Sequence, residues 1–216
     1  MPSRRKILKL GGSTAIAGVA SGCSSFSTDE GTPTSNGVAR LLNEEISISA
    51  SIQSQSTSEH PALVEFTVEN ADAAELTILP KGSGQALEKL TNYKSGNGEF
   101  ELVPYPVNPD HMARGAPLSE STGSDCWRMP ADFSYAVEDM TFEVEVQPND
   151  EYSKRHYLFY EGPRDTCLPS REYNMTTPMG VSNARGSEAQ IHLLSQIEVS
   201  QSGQLSVTAH FELYAP

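Results

Sequence analysis

Positive charge is scarce in this chain: 15 Lys and Arg stand against 28 Asp and Glu in 216 residues, a formal net charge of −13. A surface so acidic repels a polyanion, which excludes a nucleic-acid binder that reads phosphates. Long apolar runs are missing too. No stretch of eighteen or more apolar residues exists, so the sequence is not that of a multi-span membrane protein. There are three cysteines and one tryptophan. No cysteine pair has CxxC spacing, and no histidine stands at zinc-ligand spacing from Cys126 or Cys167. The familiar chemical signatures are also lacking: GxSxG, HExxH and the EF-hand loop are absent, and Lys81–Gly84 has no strand-to-helix context for a phosphate loop. Met175 and Met179 follow Cys167 without a histidine before His192, which does not suit blue copper. No catalytic residue, metal or cofactor is therefore assigned, and the chain is expected to be non-enzymatic.

What is present begins at the first residues. Arg4 and Arg5 open a basic segment that runs to Lys9, followed by the weakly apolar, Gly/Ala-rich stretch Leu10 to Ala20. This resembles a twin-arginine export signal, and the stretch is too short to span a bilayer stably. Ala20, Ser21, Gly22 and Cys23 resemble a lipobox, with Ala20 where many have Leu. The resemblance implies cleavage before Cys23, lipidation of Cys23, and anchoring to membrane lipid on the extracellular face.

Cleavage there removes four bases and no acid, so 28 acids face eleven bases and the net charge becomes −17. Self-repulsion on that scale is tolerable where molar salt shortens the Debye length to about 3 Å. The acidity and the paired-arginine signal together point to a haloarchaeal source. From residue 23 to residue 43 the chain is rich in Ser, Thr and Gly with little to bury, and reads as a flexible tether with an r.m.s. span of about 25 Å. The organisation expected is a signal at 1–22, a tether at 23–43 and one domain at 44–216.

With Cys23 assigned to lipid, Cys126 and Cys167 remain, an even number in an oxidising compartment, and they are expected to pair. The domain alternates with the period of strands. Ile46, Ile48, Ala50 and Ile52 suit a half-buried edge strand, and Val64, Phe66 and Val68 alternate with Glu65, Thr67 and Glu69. Further runs stand at Leu76–Ile78, Phe100–Leu102, Phe142–Val146 and Tyr157–Phe159. Only Gln85–Tyr93 has the look of a short helix. A three-residue loop Gln201–Gly203, with Gly203 in the left-handed region, sets Val199 opposite Leu205, Ile197 opposite Val207, Leu193 opposite Phe211 and Ile191 opposite Leu213. The other face then sets His192 opposite Glu212 and His210 beside Leu194, a surface His–Glu pair or a weaker metal candidate. The fold class expected is all-β, an antiparallel β-sandwich.

Glu59–Asn70, Asp125–Arg128 (DCWR), Val146–Ser153 and Asp165–Tyr173 (DTCLPSREY) resemble segments of the immunoglobulin-like domains of haloarchaeal lipoproteins. The resemblance covers roughly residues 59 to 175. It implies an immunoglobulin-like sandwich with Cys126 and Cys167 at its disulfide positions, and it assigns no chemistry. Asn149, Asp150, Ser170 and Arg171 depart from the usual turn residues. The Trp127–Arg128 pair and the proline-containing turn are also similar to the bacillar intracellular proteinase inhibitor domain.

One long segment, Pro104–Pro130, collects recognition-type residues: Tyr105, Asp110, His111, Arg114, Trp127 and Arg128, beside Cys126. It is the candidate binding loop for an unidentified protein or glycan partner; alternatively it serves a secreted protease inhibitor or an enzyme accessory protein. The other reading of Trp127 is a cap on the end of the sandwich beside the disulfide. Asn174 heads the sequence's one N-glycosylation sequon, Asn174-Met175-Thr176.

Overall fold

The computed structural model describes residues 46–111, 126–130, 139–163, 166–186 and 188–214. The signal, the tether, Cys23 and Arg114 lie outside the described residues. Among the described residues twelve strands are formed: β1 (Ile46–Ser54), β2 (Ala62–Asn70), β3 (Leu76–Pro80), β4 (Gly84–Gln85), β5 (Tyr93–Ser95), β6 (Glu101–Pro106), β7 (Thr141–Phe142), β8 (Val144–Val146), β9 (Glu151–Glu161), β10 (Glu172–Asn183), β11 (Glu188–Val199) and β12 (Leu205–Leu213). No helix occurs among the described residues, so the all-β class holds.

Ten strands share one antiparallel sheet in the order β1-β2-β9-β6-β5-β10-β11-β12, with β3 pairing both β10 and β8. Three-residue β5 links two halves, β1-β2-β9-β6 and β8-β3-β10-β11-β12. The halves close over one apolar core that includes Phe66, Val68, Ile78, Val144, Leu158, Met175, Ile191, Leu193 and Ile197. The result is a sandwich whose two layers are continuous through a short hinge strand. Its outer edges meet: Gln55, just past β1, donates to the Leu205 carbonyl at 2.9 Å and accepts from the Leu205 amide at 2.8 Å, which helps cover two edges that would otherwise invite pairing with other chains.

The expected register of the last hairpin is the observed one. Val199 pairs Leu205, Ile197 pairs Val207, Leu193 pairs Phe211, Ile191 pairs Leu213 and His192 pairs Glu212. Gly203 has φ 79°, and the Ser200 amide donates to the Gln204 carbonyl at 2.8 Å. Asn70 ends β2 as a buried clamp: its Nδ2 donates to the carbonyls of Ala74, Val146 and Gln147, and its Oδ1 accepts from the Asp72 amide.

Two expectations are corrected. Gln85–Tyr93 is not a helix. Gly84 and Leu87 have φ of 96° and 60°, and the segment runs as an irregular plug that buries Ala86, Leu87, Leu90 and Tyr93 in the core. An isolated helix of nine residues is marginal by itself, so side-chain burial decides the backbone. The segment Pro104–Pro130 is also not a loop from its start, because Pro104, Tyr105 and Pro106 belong to β6 and pair with Leu158, Tyr157 and His156.

Candidate functional site

The recognition-type residues fall into two separate groups. The first surrounds the Cys126–Cys167 disulfide, whose Cα atoms are 5.6 Å apart. The chain from Cys126 runs beside β9 where β2 has stopped, with Arg128 bridging to Tyr160 and the Tyr160 amide donating to the Trp127 carbonyl at 2.8 Å. Trp127 then turns onto the outer face of the first layer. There it packs with Val103, Tyr105 and Phe159, flanked by Met129 and Tyr157, and its Nε1 donates to the Thr57 carbonyl at 2.7 Å. Tyr105 is 1% exposed and Trp127 7%.

Arg128 is equally committed to the fold. Its guanidinium donates to the carbonyls of Gly162, Pro163 and Thr166 and lies 4.6 Å from the Tyr160 ring. Tyr160 in turn stacks near Phe100, over which Arg171 sits at 4.2 Å. Gly162 leaves room for the end of the Tyr160 ring, which a Cβ there would displace. Tyr105, Trp127 and Arg128 therefore cap and cover the sandwich, which matches the capping alternative for Trp127.

The second group stands along β9 from Tyr152 to His156, where β6 ends at its Pro106–His156 pair. Tyr152, Lys154 and His156 alternate along one face of β9, and the plug after β4 brings Glu88 to them. Glu88 is 1% exposed; its Oε1 accepts the amides of Asp110 at 2.6 Å and His111 at 2.9 Å, while Oε2 is buried without a partner among the described residues. The Asp110 carboxylate pairs with the Lys154 ammonium, and the His111 ring lies flat on Phe142 with centroids 3.6 Å apart. Tyr152 donates to Gln85 Oε1 at 3.2 Å; burial, then the carboxylates of Asp110 and Glu88, push its phenol up.

His156 is fully buried, meets the edge of Phe66 and holds Nε2 3.3 Å from the Glu88 carbonyl. Burial, with a smaller effect from the Lys154 charge, pushes its imidazole down to about 4. Outside this cluster a shallow groove of about 210 Å³ is lined by Glu65, Val107, Asn108, Asp110, Lys154 and Arg155.

This arrangement anchors the chain that follows β6. The imidazole faces a main-chain carbonyl instead of a hydroxyl or thiol, so no base–nucleophile pair forms here. Among the described residues no three His, Cys, Asp or Glu side chains gather to hold a metal ion. Glu88 fastens the chain after β6 to the sandwich edge by charge-assisted bonds, each worth about 1.5–3 kcal/mol. Glu88→Ala should therefore lower unfolding free energy by about 2 kcal/mol and speed amide exchange at Asp110 and His111. Glu88→Gln keeps an accepting oxygen but loses the charge assistance and buries an NH2 where Oε2 has no partner among the described residues, so it should lose less than Glu88→Ala in the same measurement. Equal losses in both variants would contradict this role.

Glu88, Tyr152, Lys154 and His156 were not among the sequence candidates. Their signal lies in register: Val64, Phe66 and Val68 pair with His156, Lys154 and Tyr152. Residues opposite one another share a face, so three polar side chains are turned toward the core. His192 lies opposite Glu212 and its ring meets Tyr214 at 5.0 Å, while Asn174 stands exposed on β10. No family model, curated protein or solved structure matches the chain.

Proposed function

We propose that the chain is an exported, non-enzymatic lipoprotein, held to membrane lipid on the extracellular face through Cys23, whose immunoglobulin-like sandwich binds a protein or glycan of the envelope. The observation that carries this reading is the disulfide. It joins two of the three cysteines and leaves Cys23 as the one available for lipid. Disulfides of this kind persist in oxidising compartments. The paired Arg4–Arg5 signal, the small residues before Cys23 and the acid-rich, lysine-poor surface point the same way, and the last of these fits a halophilic, haloarchaeal setting.

The groove beside Lys154 and Asp110 is the recognition surface favoured by this reading, because Tyr105 and Trp127 are buried, Arg128 is bonded to backbone and the His111 ring is stacked on Phe142. A protease inhibitor needs an exposed reactive segment, and Tyr105 and Trp127 do not supply one. Fractionation of cells at molar salt tests the anchor. The wild-type protein should sediment with membranes and Cys23→Ser should be released into the soluble extracellular fraction; an unchanged distribution would refute lipid anchoring at Cys23.

A further inference from the structure

We infer that Asn174 is an acceptor for an N-linked glycan, carried on the outer face of the second layer. Of nine asparagines only Asn174 is followed by the x-Thr that such transfer requires. The placement of this sequon on the fold is the second observation. Asn174 and Thr176 are two apart on β10, so both side chains leave the same face, about 7 Å apart along the strand. Both residues are exposed, while Tyr173, Met175 and Thr177 between and beside them are buried.

The surroundings suit a sugar. Across the sheet Asn174 is flanked by Lys94 on β5 and Gln196 on β11, and Gln196 is followed by Thr208 on β12. The next row holds Thr176, Leu194 and His210. Between Lys94 and Thr208 and between Thr176 and His210 these rows carry no carboxylate; beyond them Glu101 on β6 is paired with Lys94 at 3.4 Å, and Glu172 and Glu198 form the row before Asn174. The two rows offer hydroxyl and amide groups to a glycan, with the half-exposed Leu194 for its apolar ring face. The Asn174 amide makes no side-chain hydrogen bond among the described residues, so losing one of its N–H bonds to a sugar leaves no partner unsatisfied.

The group transferred comes from a lipid-phosphate-linked oligosaccharide, delivered by a membrane-bound transferase. The bond from the anomeric carbon to phosphate oxygen breaks, the lipid phosphate leaves with the electron pair, a bond forms from that carbon to Asn174 Nδ2, and the amide gives one proton to a base of the transferase. The inference rests on the export reading, since the donor and the transferase act on exported chain.

Mass analysis of the protein purified from its own cells tests it. Trypsin releases Glu172–Arg185, with Asn174 as its only sequon. This peptide should be heavier by whole sugar residues, and Asn174→Gln and Thr176→Ala should each abolish the increase while Thr176→Ser keeps it. A bare peptide from a chain that has lost residues 1–22 and holds the Cys126–Cys167 bond would overturn the glycan site and leave export standing. A bare peptide from a chain still carrying residues 1–22 would overturn export and this site with it.

Discussion

Replacing Cys126 and Cys167 together by serine is expected to lower the free energy of unfolding by about 4 kcal/mol, the largest effect of any change considered. The two residues are 41 positions apart, and closing a loop of that size removes a corresponding amount of entropy from the unfolded chain. The native segment has other fastenings: Trp127 Nε1 bonds Thr57, Arg128 holds three carbonyls, and Trp127 is packed against Val103, Tyr105 and Phe159. The folded double variant should therefore keep the blue-shifted emission of Trp127, the chain's single tryptophan. Denaturant unfolding followed by that emission checks both statements. A midpoint unchanged from wild type would contradict the first, and a red-shifted folded state would show that the crosslink, not packing, seats Trp127.

Acid should destabilise the domain through His156 by about 3 kcal/mol between pH 6.5 and pH 4. The buried ring is neutral in the fold, with its pKa down to about 4, whereas the unfolded chain takes up a proton at the ordinary 6.5. Within that window the unfolded state binds more protons, so stability is complete above 6.5 and is lost as the pH falls toward 4. The groups acting on the ring are Phe66, the backbone of Leu87, Glu88 and Lys154, which partly offsets the burial, and the Lys154 ammonium; none of them supplies a full negative charge to the imidazolium. The many carboxylates add their own pH dependence, so the decisive quantity is a difference. His156→Leu, measured by denaturant unfolding across this range, should lose the His156 share of the slope; identical slopes in the two proteins would contradict it.

Much of this fold was legible because strand alternation and turn chemistry agree locally. In β11 and β12 the inward positions Val199, Ile197, Leu193, Leu205 and Val207 are apolar, and Gly203 is where a left-handed residue is needed, so a single register buries one face. The disulfide was legible once Cys23 was assigned to lipid, because Cys126 and Cys167 are then the two that remain. The segment after β4 misled because Ala86, Leu87, Leu90 and Tyr93 repeat at helical intervals. Their burial is real, but it is achieved by an irregular chain with Gly84 and Leu87 at positive φ.

The two faces of β6 and β9 were the other hidden feature. Leu102–Tyr105 and Tyr157–Tyr160 are unbroken apolar runs rather than alternating ones, which is the signature of strands covered on both sides. That pattern places Tyr105 under cover; it does not reveal that Trp127 supplies part of the cover, because the contact joins distant parts of the chain. Glu88 and His156 were hidden for the same reason, since each becomes informative only once the plug and β9 are side by side.

The export account stands or falls on the mature N-terminus. Mass spectrometry of the N-terminal peptide, taken from the protein in its own membranes, should find a chain that begins at Cys23 and carries lipid on the Cys23 sulfur. A chain that retains residues 1–22, or one that begins at Cys23 with an unmodified thiol, would contradict it.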